Sequence, residues 1–213
     1  MIGGAGFAGV EFVGELHNLL KHECAHHHKE LSNFKLTMVE GGTEHLPGLS
    51  PKVSLLVARR LEHMGVETHF STLITDADKG SVVLNNKDRI DCDLLIWTGG
   101  VRSCRLPATL DLERDKKDRT FAAESLNLKK FPNVFLAGDN LCFMHPQTKK
   151  PVAQTAQEAI RQGRLVARNV FRMISRKDVL PYTPGPVRFI IPVAGKFAIL
   201  YTPNLIISGF LGW

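Results

Sequence analysis

Residues 1–13 read Met1-Ile2-Gly3-Gly4-Ala5-Gly6-Phe7-Ala8-Gly9-Val10-Glu11-Phe12-Val13, and Gly4–Gly9 has the spacing G-x-G-x-x-G. That spacing is a weak signal alone; its flanks give it weight. Phe7, Val10, Val13, Leu16 and Leu20 fall at i, i+3 and i+4 intervals and predict a helix over residues 7–20. Residues 34–40 read as a buried strand that ends in an acid, Glu40. A glycine turn that opens a helix, with an acid-tipped strand after it, suits a dinucleotide. Gly4 permits the tight turn, Gly6 lets backbone approach a pyrophosphate, and Gly9 lets helix and strand pack closely. The helix N-terminus adds N–H donors and partial positive charge.

Glu40 stands 40 − 9 = 31 residues past Gly9, beyond the usual spacing of about 20. The polar, histidine-rich stretch 21–32, a loop or a helix extension, accounts for the excess. A carboxylate at Glu40 accepts hydrogen bonds from ribose hydroxyls and repels a 2′-phosphate, so NADH is expected over NADPH. Only two or three residues precede the turn, against about 5–6 in a typical strand. The first strand is therefore expected to be cut short, as in a fragment or a misassigned start.

Working outward, Ser50-Pro51 predicts a helix start with Pro at its first position, running to about Met64. A short strand is expected over 66–70, a β-meander over 72–96, and a buried strand over 93–97 that ends in Thr98-Gly99-Gly100. Val134–Leu136 reads as a buried strand ending in Gly138-Asp139, an acid placed at a parallel strand's carboxyl end to meet a ligand hydroxyl. A helix is predicted over 152–174, then an irregular proline-rich segment and two short strands near 187–201.

The chain has 213 residues, 44% hydrophobic and 23% charged, which excludes disordered, collagen-like and low-complexity classes. Net charge is +6, but the basic residues are dispersed. No run of Lys and Arg is longer than a doublet, as at Lys116-Lys117, Lys129-Lys130 and Lys149-Lys150, so no nucleic-acid partner is expected. Cys24, Cys92, Cys104 and Cys142 form no C-x-x-C pair and suit a reducing, cytoplasmic setting. His22 and His26 stand at i, i+4, but no further ligand lies at metal-site spacing, and no metal is assigned. No signal peptide and no run of 18 apolar residues is present. Residues 189–213 carry one charge, Lys196, and end in Ile206-Ile207-Ser208-Gly209-Phe210-Leu211-Gly212-Trp213. They form either a buried terminal hairpin or a surface for a bilayer or a second copy.

Taken in order, these motifs resemble the two-dinucleotide-binding flavoprotein reductases, and among them the type II NADH dehydrogenases (NADH:quinone oxidoreductases). Gly4–Gly9 with Val10-Glu11 is similar to the NAD-domain turn, and Ile96–Val101 to the strand that closes that domain. Pro132–Asp139 resembles the flavin-domain segment whose Asp meets the ribityl chain. Pro151–Ala156 resembles the segment beside the flavin ring and the quinone. In the family pattern a second Gln follows two residues after that Ala; here the position is Glu158. The interval of 139 − 98 = 41 residues from Thr98 to Asp139 marks Gly4–Gly9 as the second of the family's two glycine motifs. The first half of the flavin site is then missing.

The resemblance implies an α/β fold: a Rossmann-like NAD(H)-binding domain over 1–105, with a parallel sheet and β-meander. The second half of an FAD-binding domain would follow over 106–178, and an apolar, membrane-facing segment over 179–213. It implies hydride transfer from NADH to FAD and electron transfer to a quinone, at the inner face of the cytoplasmic membrane. Gly4, Gly6, Gly9, Glu40, Thr98, Gly99, Gly100, Gly138, Asp139 and Ala153 would bind cofactor, with Glu11 and Gln154 catalytic. Two other readings stand beside it: a sulfide:quinone or ferredoxin reductase, for which Cys142 lacks an evident partner, and a non-enzymatic NAD-binding module. A short-chain dehydrogenase is disfavoured, because neither Tyr182 nor Tyr201 has a Lys four residues on.

Overall fold

The computed structural model describes residues 1–104 and 111–213. They form two compact units, one of residues 1–100 with 187–213 and one of residues 101–186. The domain boundary expected at 105/106 lies outside the described residues.

The first unit begins with β1 (Ile2–Gly3), α1 (Phe7–His26), β2 (Thr37–Val39), α2 (Pro51–His63) and β3 (Glu67–His69). An antiparallel meander follows, β4 (Ile74–Asp78), β5 (Ser81–Leu84) and β6 (Arg89–Asp91), and then β7 (Ile96–Trp97). Strands β1, β2, β3 and β7 make one parallel sheet in the order β3-β2-β1-β7. Two residues suffice for β1 because both its neighbours are in place: Ile2 faces Met38 and Ile96, and Gly3 faces Val39 and Trp97. Helix α1 runs six residues past the predicted end. Cys24, four beyond Leu20, is buried and continues the inward row. In α2, Val53, Val57 and Leu61 are buried at i, i+4, i+8, and Gly65 closes the helix at φ +72°.

The second unit contains β8 (Thr120–Phe121), β9 (Leu141–Cys142) and α3 (Ala156–Ile174). β8 and β9 pair in parallel, and Leu126, Leu141, Phe143 and Tyr182 form the core. The parallel strand expected at Val134–Leu136 is not formed. Val134 N–H donates to Phe131 O (2.9 Å), closing a turn around Pro132-Asn133. That turn folds the segment back on its upstream neighbour, giving one antiparallel bridge, Asn127 to Phe135. Helix α3 starts at Ala156, four residues later than predicted, where the Thr155 hydroxyl accepts from Glu158 N–H (3.3 Å) and caps it.

The sequence reading set 179–213 apart and expected two strands near 187–201. The structure has three antiparallel strands, β10 (Phe189–Pro192), β11 (Ala198–Thr202) and β12 (Leu205–Gly209), within the first unit. Ile191 and Ile199 are fully buried in one core with Ile2, Val10, Val13 and Met38. Ile190, in the alternate register, points outward and is 63% exposed.

Candidate functional site

The glycine turn lies at the carboxyl end of β1, the central strand of the parallel sheet. Gly4 has φ +110°, where an L side chain is strained, and its N–H donates to Val39 O (2.7 Å). A Cβ at Gly9 would stand 2.0 Å from the Gly4 carbonyl oxygen and 2.8 Å from Thr98 Oγ1, so only glycine lets α1 start this close to the sheet. A Cβ at Gly6 would meet nothing within 4 Å. Gly6 is the N-cap of α1 and provides no side-chain cap, and the first turn of α1 carries no acid. The helix therefore presents unpaired N–H groups and its positive end to an open face, which suits an anion.

Two side chains brace this turn. Glu40 follows β2, and its carboxylate accepts from Ala5 N–H and Gly42 N–H, both at 2.7 Å. Thr98 follows β7; its hydroxyl donates to Gly3 O (3.0 Å) and Gly4 O (3.1 Å), and its N–H donates to Gly3 O (2.8 Å). Gly99 lies against the Trp97 indole, where a Cβ would come within 2.5 Å of the ring, and Gly100 is open. Trp97 also covers Gly3 and is 61% exposed. Sequence reading missed His45, which is buried in the loop after β2. Burial pushes its pKa down, while the charge of Glu40 pulls it up. No spacing signal marks that loop residue. Glu11, on the second turn of α1, is part-buried, and burial pushes its carboxyl above its ordinary value.

In the second unit, Gly138–Asn140 forms a single 3-10 turn, with Gly138 at φ +68° and Asp139 exposed. Side chains of α3 and its approach hold both ends of the turn. Gln162 Oε1 accepts from Gly138 N–H (2.7 Å), and Gln154 Nε2 donates to Asp139 O (3.2 Å). Ala153, Gln154, Gly138 and Gln162 line one cleft of about 10 Å³, enough for a single water. Glu158, where the resemblance expects Gln, is buried. Its carboxylate accepts from the Tyr182 hydroxyl, from Gly185 N–H (3.2 Å) and from Arg161 Nη1 (2.5 Å). The sequence reading missed Gln162 and Tyr182. The spacing Thr155-x-x-Glu158 marks a capping box, but this Glu does not reach back to the cap.

Cys142 is buried in β9 and burial pushes its thiol pKa up; all four cysteines are unpaired. His22 and His26 are exposed on α1, and among the described residues no three metal-ligating side chains cluster. No described helix is long and apolar enough to cross a membrane.

A parallel sheet whose central strand delivers a helix through a braced, open glycine turn defines an α/β dinucleotide-binding fold. The chain belongs to the pyridine nucleotide-disulphide oxidoreductase family, which matches residues 1–163. Among curated relatives, the type II NADH:quinone oxidoreductase of Staphylococcus aureus is 32% identical over 178 residues, covering 82% of this chain and 44% of that protein. The Staphylococcus epidermidis protein of the same name matches equally. The chain thus spans about half the length of these relatives. Among solved structures, NDH2 from Plasmodium falciparum in complex with NADH superposes with a TM-score of 0.83 at 15% identity, over 98% of this chain and 58% of that one. A water-forming NADH oxidase from Lactobacillus brevis bound to NADH gives a TM-score of 0.72 at 16% identity, over 93% and 41%. At these identities the likeness establishes the fold.

Proposed function

We propose that this chain is the NADH-binding part, with a portion of the flavin-binding part, of a type II NADH:quinone oxidoreductase. The observation that carries the reading is the uncapped start of α1 facing open space at Gly6, with the Glu40 carboxylate braced beside it. A pyrophosphate fits the first feature and a ribose diol fits the second. When bound, NADH and FAD supply the hydride transfer and the onward passage of electrons to a quinone.

The chain's own residues bind and orient. The turn at Gly4–Gly9 takes the pyrophosphate, and Glu40 accepts from the adenosine ribose hydroxyls. Thr98, Gly99 and Gly100 form the floor near the nicotinamide. Asp139, in a turn pinned by Gln154 and Gln162, takes a hydroxyl of the flavin's ribityl chain, with Gly138 and Ala153 beside it. Gln154 would approach the flavin or the quinone, and Glu11, whose carboxyl burial pushes above its ordinary value, would handle a proton. The buried Cys142 thiol is a poor nucleophile, which disfavours sulfide chemistry. The exposed apolar residues Ile190, Leu205, Phe210, Leu211 and Trp213 suit peripheral contact with the cytoplasmic membrane, or with a second copy.

Titration with NADH and NADPH, read by nicotinamide fluorescence, tests the reading. NADH should bind at least about tenfold more tightly, and Glu40→Gln should narrow the gap, since a hydrogen bond to a charged group contributes about 1.5–3 kcal/mol. Equal affinity for both nucleotides, or binding of neither, would overturn it.

A further inference from the structure

The first unit carries a second cavity that shares no lining residue with the glycine turn. Its volume is about 280 Å³, and it is lined by His17, Asn18 and Lys21 of α1, by Leu31, and by Arg60 and His63 of α2. Four of these side chains are basic and none is a carboxylate. Among the described residues, none of the four takes part in an ion pair. Asn18 Nδ2 donates to Glu15 at 3.4 Å on the same helix.

Arg60 is built into place. Its Nε donates to Val193 O and its Nη2 to Ala194 O, both at 3.1 Å, and its guanidinium carbon lies 4.9 Å from the Phe197 ring centroid. These partners fix the guanidinium but carry no formal charge, so its positive charge is left uncancelled. His17 adds a further constraint. Its Nδ1 is shut off from solvent without a hydrogen-bond partner. A proton on Nδ1 would be a buried orphan donor, so the neutral ring carries its proton on Nε2. Burial first, and then the charges of Lys21 and Arg60, push the His17 pKa down. An anion among these groups relieves that repulsion.

We propose that this cavity binds a phosphate-type oxyanion, either free or as the head of a phosphorylated small molecule or lipid. Pockets for drug-sized ligands run about 300–1,000 Å³, so this one suits a phosphate group with a short substituent. The arrangement supplies what a dianion needs: one fixed guanidinium, one mobile ammonium and two imidazoles.

The test uses the whole chain in phosphate-free buffer. Inorganic phosphate is titrated against chloride at equal ionic strength and read by thermal unfolding and calorimetry. In parallel, sedimentation is measured with vesicles containing phosphatidic acid and with neutral vesicles. Lys21 and His63 are exposed, so Lys21→Gln with His63→Gln should leave the unliganded Tm unchanged. Saturable binding of inorganic phosphate that weakens about tenfold or more in this double variant supports a free phosphate as ligand. Binding only to phosphatidic acid vesicles, weakened by the same double variant, supports a lipid headgroup. Absence of both, or binding that the double variant leaves intact, overturns the proposal, because the anion would then sit elsewhere, such as on the glycine turn.

Discussion

Gly6 and Gly9 lie three residues apart in one motif, and the structure assigns them opposite sensitivities. At Gly9 a Cβ would lie 2.0 Å from the Gly4 carbonyl oxygen, where ordinary van der Waals contact is 3.4–4 Å. The start of α1 must then retreat by over 1 Å, and the atom in its way is backbone that cannot rotate aside. Val10 and Val13, fully buried on that helix, move with it. Overpacking of this kind costs about 1–3 kcal/mol, and the loss of registered core contact places Gly9→Ala near the upper end. At roughly 2–4 °C per kcal/mol for a chain of this size, Tm should fall by about 6–12 °C. At Gly6 the backbone is extended (φ −73°, ψ −172°), which alanine adopts freely, and the added methyl meets nothing. The weaker N-cap character of Ala and the reduced entropy of the unfolded chain roughly cancel, leaving stability within about 0.5 kcal/mol of the parent and Tm within about 2 °C. The same methyl occupies the space where the pyrophosphate must approach. Loss of one charge-assisted hydrogen bond there should weaken NADH by roughly 10–150-fold. Thermal unfolding and fluorescence titration of both variants decide the matter. A Gly6→Ala chain that binds NADH like the parent, or a Gly9→Ala chain with unchanged Tm, would refute this account of the turn.

Thr98→Val keeps the shape but removes the donor to Gly3 O and Gly4 O; a loss of about 1 kcal/mol is expected in urea unfolding, with a weaker response to NADH. In the second unit Asp115 and Arg119 form a nearly buried ion pair at 2.6 Å. Burial alone would raise the Asp115 pKa, but hydrogen bonds from Arg119 and Lys117 outweigh it and hold the carboxyl below its ordinary value. A depressed carboxyl pKa contributes stability present above the unfolded value of about 3.9 and lost as pH falls through the folded value. Asp115→Asn should therefore cost roughly 3–5 kcal/mol at neutral pH and flatten the acid limb of the stability curve below about pH 4. Burial, and then the hydrogen bond to Glu158, push the Tyr182 phenol well above its ordinary range. A spectrophotometric alkaline titration should show a tyrosine that ionises only when the protein unfolds, and Tyr182→Phe should abolish that phase.

What the sequence revealed, and what it hid, follows from how far each constraint reaches. The glycine turn is legible because its conditions are set within six residues and by one strand end. Gly4 must turn, Gly6 must stay open, and Gly9 must clear the Gly4 carbonyl. The inward row of α1 was readable as far as Leu20 and then passed into Lys-His-Glu-Cys-Ala-His, where only Cys24 still carries it. Periodicity rests on apolar side chains, so one small thiol was too faint to extend the helix. Val134–Leu136 has the composition of a buried strand, but composition does not choose a partner. The turn at Pro132-Asn133 makes the upstream neighbour nearer than any parallel strand. Glu158 was the hardest. Its partners Tyr182 and Gly185 lie 24 and 27 residues on, and Gln162 holds Gly138 across 24. Hydrogen bonds at that separation leave no period and no spacing. A polar residue on an α3 row reads as solvated until the fold brings a hydroxyl and a backbone N–H to it. This is why the one position that departs from the family's Gln could be seen in the sequence, while its role could not. A buried carboxylate with three donors fastens residues 182–185 to the helix that also pins the Asp139 turn. A neutral Gln at that position could not balance the Arg161 charge.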